Sequence, residues 1–552
     1  PSNGKGKATF DVPPRQGTSD SRAVGEPGHV GKLLTRKPGD LGFDPAECGV
    51  GWGPCIESQG NESAMNEPEK SDSPVVSKKP ANKAGLRSSA AELAEKRGVA
   101  EGNPDQQTSH RTQSRDRLQQ SLERIRQAVK GKKEEKLTNL WHHVCDVDRL
   151  RKAYHESNHK GAAGVDGETW QSYGESLEAN LSALSERLRK GSYRAQAVKR
   201  QYIPKPDGRQ RPIGIPVLED KIVQRATVEV LNAVYENHFK GFSYGFRPGR
   251  SQHRALDALY MGLIRRNINW VLNADIRGCF DAIDHAWLIK FVEHLIADKR
   301  VVRHLKKWLK AGILEGDELR ENTEGTPQGG SVSPLLCNIY LHYVLDLWVD
   351  QWRRKRAKGD VIAVRYADDF VIGFQSETEA KTCLDELRER LAAFNLELHP
   401  EKTRLIEFGR YAGANRQRKG RGKPETFDFL GFTHYCAKTR KSGAFIVGRK
   451  TQSKRMRMKL SQLKEELRLR MHRAVPETGA WLRRVVQGYY NYHWVPRNGT
   501  AMRRFTQALL RYWWKNLKRR SHKSNCDWTR FYRRIARRWM PPMRVTHPYP
   551  EH

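Results

Sequence analysis

Apolar residues recur at helical spacing from Asp116 onward. DRLQQSLERIRQAVKG (116–131), LTNLWHHV (137–144) and VDRLRKAYHE (147–156) place Leu, Ile, Val or aromatic residues three or four apart, which predicts short amphipathic helices. GAAGVDGETW (161–170) is a Gly-rich loop leading into another helix, and LEANLSALSERLRKG (177–191) predicts a helix ended by Gly191. The pattern then changes. AVKRQYIPKPDGRQRPIGIPV (197–217) reads as two strands around the turn signal P-D-G, followed by a long helix over 218–239. Two strand-centred units come next: INWVLNADIRGCFDAIDH (268–285), an apolar run ending in a carboxylate, and VIAVRYADDFVIGF (361–374), a hairpin with polar residues at its bend. Between them GTPQGGSVSPLLCNIYLHYVLDLW (325–348) is a glycine loop opening a helix. A helix over 377–395, two short strands around a turn in LELHPEKTRLIEF (396–408) and a strand in FDFLGFTHY (427–435) follow, and 450–540 is helical and basic with interleaved Trp and Tyr. Strands and helices mixed without regular βαβ repetition predict an α+β fold.

Residues 1–115 are rich in Gly, Pro, Ser, Asn and Glu and lack periodicity, so they are expected to be a disordered extension. At 552 residues the chain exceeds one core, and several domains follow. The expected division is the extension 1–115, helices and a strand pair over 116–265, a sheet-bearing unit over 266–448 and a basic helical unit over 449–552.

Charge sharpens this picture. The net charge is +37, which calls for a polyanionic partner because self-repulsion opposes compactness; nucleic acid comes first and an anionic membrane surface second. The excess is uneven: Lys450–His552 holds 26 Lys+Arg against 5 Asp+Glu, so phosphate backbone is expected there. The eight cysteines include no C-x-x-C and no zinc-finger spacing, the pattern of a reduced cytosolic protein with inert thiols. No run approaches the roughly 18 apolar residues of a membrane span.

Asp275 ends one apolar run, and Asp368 and Asp369 end another. A D-D pair is ordinarily a solvated turn. Successive strand residues point to opposite faces, so these two can share a site only at a bend. Carboxylates that converge must share protons or bind cations. In a chain with this charge magnesium is the natural cation, since it takes hard oxygen ligands and keeps waters and substrate phosphates. Two such ions about 4 Å apart form the clamp for in-line phosphoryl transfer. Lys205 and Arg211, across the P-D-G turn, would meet a triphosphate if that hairpin folds over the site.

Taken in order, these stretches resemble the reverse transcriptases encoded by bacterial group II introns, from about Leu137 to Glu551. NLWHHV and GAAGVDG resemble the family's N-terminal block, and YIPKPDGRQRPIGIP its fingers hairpin. SYGFRPGRSQHRAL resembles the next block, NADIRGCFDAIDH the first carboxylate motif, and GTPQGGSVSPLLCNIYL the template-and-nucleotide motif. RYADDF resembles the Y-x-D-D box, and LELHPEKT and FLGF the last two palm motifs. The resemblance implies a right-hand polymerase of fingers, palm with an antiparallel sheet, and helical thumb or X domain. It implies Asp275 and Asp368 as principal ligands of two magnesium ions (manganese substituting), with the Ile276 carbonyl and Asp369 as further ligands. Lys205 and Arg211 then bind triphosphate, Phe280 excludes a 2′-hydroxyl, and Gln328 lies near the templating pair. The resemblance also implies Lys402 as a candidate general acid that protonates the leaving pyrophosphate. Lys454, Arg455, Arg457, Lys459, Arg503, Arg504, Lys518, Arg519 and Arg520 face nucleic acid, while the tail's Trp and Tyr pack inward.

The implied function is RNA-directed DNA polymerase and splicing maturase in group II intron mobility. Its partners are intron RNA, an RNA template, a DNA primer or target DNA, and deoxynucleoside triphosphates, with no membrane. The expected location is the bacterial cytoplasm, with the nucleoid or a ribonucleoprotein. The paired Cys and His of an HNH endonuclease are lacking, so DNA cleavage is not expected. A maturase that uses the fold only as a scaffold is one alternative. A related reverse transcriptase in DNA repair or diversity generation is another.

Overall fold

The computed structural model describes residues 104–131, 135–204, 210–316, 318–320, 325–326, 329–520 and 527–550. Most of the expected extension, with Lys205, Gln328 and Cys526, lies outside the described residues. The first helix starts at Pro104 rather than near Asp116. It buries Leu122, Ile125 and Val129 in the main core, which makes it part of the folded body.

The strands are β1 (Val198–Pro204), β2 (Gln210–Ile215), β3 (Trp270–Asp275), β4 (Ile313–Glu315), β5 (Glu318–Arg320), β6 (Val361–Tyr366), β7 (Asp369–Phe374), β8 (Arg404–Glu407), β9 (Phe427–Phe429), β10 (Phe432–Lys438) and β11 (Phe445–Thr451). Among the described residues they form three sheets, ordered β2-β1-β4-β5, β6-β7-β3-β8 and β11-β10-β9. The second is antiparallel throughout and brings the two predicted carboxylate strands together as neighbours. One face of it packs on the main core through Leu272, Ala274, Phe370 and Ile372. Val271, Val364 and Val371 fill a second core with helix Gln252–Arg265. A strand covered on both faces reads as a near-continuous apolar run, which is why WVLNA and DFVIGF stand out in the sequence.

Sequence patterning misses four features. ILEGDELR forms the β4–β5 hairpin, whose β4 adds in parallel to β1. These strands are three residues each, too short to show a period. FDFLGFTHY is two strands, because Leu430 and Gly431 both take left-handed φ (45° and 83°) and turn the chain. β11 runs to Thr451 and pairs along β10, so the expected boundary at 448/449 falls inside a strand. The helix predicted from GGSVSPLL holds a π turn over His342–Asp346.

The C-terminal helices Ser453–Leu469, Val475–His493 and Gly499–Lys518 enclose a separate core of Leu463, Leu482, Val486, Phe505, Leu509 and Trp513. Tyr490, Trp494 and Trp513 are buried there, so the interleaved aromatics are largely core. Among the described residues, no helix is long and apolar enough to cross a membrane.

Candidate active site

β3 and β7 pair so that Asp275 stands directly opposite Asp369. Cross-strand partners project to the same face, which puts these two carboxylates side by side. Asp368 belongs to neither strand. β6 ends at Tyr366, and Ala367 takes φ +59°, which swings Asp368 out of the ladder before β7 begins. The Asp368 carbonyl accepts the Ile276 amide at 3.2 Å, which ties the bend to the residue after Asp275. This is the bend that lets adjacent aspartates share a site.

The three carboxylates are close enough to disfavour one another's charge. Burial, then the Asp275 charge, raises the Asp368 carboxyl above its ordinary range, while Lys402 and Arg211 pull it down. Burial, then Asp275 and Asp368, raises Asp369 well above its range, opposed by Lys402 and Arg455. Surface accessibility makes both residues half-buried, which is enough to weaken hydration of the charged form. Arg211 lies on the β1–β2 hairpin opposite Ile203, and its charge is among those that lower Asp368. Lys402 Nζ lies 2.5 Å from Asp275 Oδ2. The turn that carries it is anchored by the His399 amide, which donates to the Asp275 carbonyl at 2.7 Å.

Among the described residues, no three carboxylate, imidazole or thiol side chains close into a ready-made metal cage. The donor set nevertheless fits magnesium. It is all oxygen, its carboxylates disfavour one another's charge, and Asp275 already holds a cation in the form of Lys402. That geometry suits an ion that keeps part of its water shell.

The other predicted residues gather round the same bend. Phe280 is half-buried against the main core, and its carbonyl accepts the Thr326 amide at 2.7 Å. This contact docks the start of GTPQGG under the Asp275 loop. Gly325 is required there: at φ +78°, a Cβ would lie 2.8 Å from the Phe280 carbonyl oxygen. A Cβ on Gly329 would overlap the Gly214 carbonyl of β2, so the loop also wedges against the hairpin. Of the basic residues predicted to face nucleic acid, Lys454, Arg455, Arg457, Arg503, Arg504, Lys518 and Arg519 are exposed. Lys459 is half-buried and donates to Gln462 at 3.0 Å. Arg520 donates to the Arg473 carbonyl at 2.7 Å and so braces a helix connection.

A second layer escaped the sequence reading. Arg365, two residues before Ala367, is completely buried and grips Asp346 at 2.6 Å through both Nε and Nη2. It also donates to Asn338 Oδ1 (3.1 Å), the Ala367 carbonyl (2.9 Å) and Ser243 Oγ (2.7 Å). Asn338 in turn donates to the Gly245 carbonyl at 2.6 Å, and a Cβ on Gly245 would overlap the Ala367 amide. The bend is thus cast between a buried ion pair and a glycine. The one available signal was a lone Arg inside an apolar strand.

Comparisons with known proteins cover the same stretch of chain. The family model "Reverse transcriptase (RNA-dependent DNA polymerase)" matches residues 203–434, which span the carboxylate strands and most of the hairpin. The group II intron-encoded protein LtrA of Lactococcus lactis subsp. cremoris is 33% identical over 309 residues, covering 53% of this chain and 50% of the relative. Protein YkfC of Escherichia coli (strain K12) is 36% identical over 282 residues, covering 45% of this chain and 73% of that protein. The mitochondrial nuclear intron maturase 2 of Arabidopsis thaliana is 26% identical over 238 residues, covering 35% of this chain and 30% of that protein. The chain spans about half the length of LtrA, the first of these relatives. With the aspartates of RYADDF and NADIRG side by side in one sheet and these relatives on either side, the chain belongs to the group II intron reverse transcriptase/maturase family.

Proposed function

We propose that the chain is an RNA-directed DNA polymerase that copies intron RNA by two-metal phosphoryl transfer, and that it also binds intron RNA as a splicing maturase. The observation that carries this reading is the pairing of Asp275 with Asp369 beside the out-of-ladder Asp368. In this reading the β1–β2 sheet is the fingers, the β6-β7-β3-β8 sheet the palm, and the C-terminal bundle the thumb or X domain.

Two divalent cations held by Asp275, Asp368, Asp369 and the Ile276 carbonyl would activate the primer 3′-hydroxyl and neutralise the leaving pyrophosphate. The chain's own groups supply the rest. Arg211, which already acts on Asp368, faces the triphosphate together with Lys205. Lys402 moves from Asp275 to the leaving group and donates its proton there once nucleotide enters. Phe280, whose ring packs against the main core and whose carbonyl accepts the Thr326 amide, closes the space beside the sugar C2′ and favours deoxynucleotides. Gln328 contacts the templating pair. Arg455, which acts on Asp369 from the first helix of the bundle, sits where thumb meets palm and would touch the primer strand. The exposed Lys and Arg of the bundle grip the phosphates of an A-form duplex and of intron RNA.

An intact carboxylate set with its cationic neighbours favours the polymerase over a scaffold-only maturase. Primer extension on matched RNA and DNA templates, with magnesium varied and Asp368→Ala as the control, tests it. Extension by the wild type alone supports the reading. Absence of extension by the wild type, with intron RNA still bound, would leave the maturase.

A further inference from the structure

The loop between Phe242 and Gly249 lies against the catalytic bend. Ser243 runs beside Arg365 as a parallel bridge. The Arg365 amide donates to the Phe242 carbonyl, and the Tyr244 amide to the Arg365 carbonyl, both at 2.8 Å. Gly245 then presses on the Ala367 amide so closely that no side chain fits. The next residue, Phe246, takes φ +58°, a left-handed conformation that is unfavourable for a bulky side chain, and the residue is 50% exposed. Both flanks are pinned. Arg247 donates to Glu236 and to the carbonyls of Lys240 (2.8 Å) and Ser243 (2.7 Å), and its guanidinium lies 5.2 Å from the centre of the Phe239 ring.

A bulky side chain held half-exposed on a left-handed backbone carries a conformational cost. The surroundings say what covers it. Of the four cations from Lys240 to Arg254, Lys240 and Arg247 are paired with Asp350 and Glu236, while Arg250 is half-buried and Arg254 exposed on a stretch without Asp or Glu, which suits a phosphate-bearing surface. Ala367, which Gly245 touches, immediately precedes Asp368, so the ring is tethered one residue from a contact with the bend that aims the carboxylate. We propose that Phe246 packs against the terminal pair of the template–primer duplex, on the sugar-and-base surface of its wide minor groove, and thereby fixes the primer end relative to Asp368. This rests on the polymerase reading above and adds a duplex-positioning residue to it.

The test uses the full chain, an RNA-template/DNA-primer duplex and the variants Phe246→Gly and Phe246→Tyr. Glycine tolerates positive φ, so Phe246→Gly is expected to melt no lower than the wild type while binding the duplex about tenfold more weakly. Its KM for template–primer should rise by a similar factor, and Phe246→Tyr should restore affinity. Unchanged affinity in Phe246→Gly overturns the assignment, as does a lowered melting midpoint, which would give the ring to the fold. A wild type that extends no primer overturns the polymerase reading itself, a result distinct from an active wild type with an indifferent Phe246→Gly.

Discussion

Removing the Asp368 carboxyl leaves the ladder that carries Asp369 untouched, because Asp368 lies outside it. Asp368→Ala is therefore expected to lower primer extension by at least about 100-fold while duplex affinity changes little; equal loss of both, measured by extension and anisotropy, would give the residue a structural role. Asp369 offers a different readout. A carboxyl whose folded pKa is raised contributes stability that is complete below its unfolded value and lost as pH rises through the folded one. Burial and the neighbouring Asp275 and Asp368 raise Asp369 in this way. Without divalent cation, Asp369→Asn should thus melt about 2–4 °C above the wild type at neutral pH, and the gain should vanish as pH falls below the ordinary carboxylate range. Thermal scans across pH check this, and added magnesium should narrow the difference. At Phe280 the half-buried ring sits on the main core, so Phe280→Ala is expected to raise ribonucleotide incorporation about tenfold, with some loss of stability. Unchanged sugar selectivity in single-nucleotide extension would remove it as the gate.

At the scale of elements, the β6–β7 bend depends on a pair that contributes no chemistry of its own. Arg365 and Asp346 are both completely buried, and Asp346 reaches Arg365 from the π turn. Asp346→Asn leaves an uncompensated buried charge and should cost about 3–5 kcal/mol in urea unfolding. Arg365→Met combined with Asp346→Leu should recover much of that stability but not primer extension, because the Ala367 carbonyl loses its donor. Recovery of both would show that the bend holds its shape unaided. The hairpin itself was legible in RYADDFVIGF, since its apolar runs and polar bend are local. The partner Asp346 was not, because nothing in sequence spacing reveals which buried residue a π turn will present. The β4–β5 strands and β11 were missed for a related reason: short or edge strands are defined by what they pair with.

Across the whole molecule, the largest basic excess and the carboxylate bend are carried by different elements. The C-terminal bundle keeps its apolar residues in its own core and leaves Lys454, Arg457, Arg503, Arg504, Lys518 and Arg519 exposed. RNA affinity should therefore fall steeply with salt, and charge-reversing Arg503 and Arg504 together should reduce the slope of log affinity against log salt by about 2. A flat response in filter binding would separate this surface from RNA. The sequence by itself determined the order of most of the elements, singled out the three aspartates and placed the basic excess, because periodicity, turn residues and charge are local properties. Only the tertiary structure decided that Asp369 rather than Asp368 faces Asp275, that Arg211 and Lys402 act on the same carboxylates, and that Arg365, Gly245 and Phe246 surround the bend. Those relations depend on strand register and on contacts between residues more than a hundred positions apart, which the chain specifies only once its cores have packed.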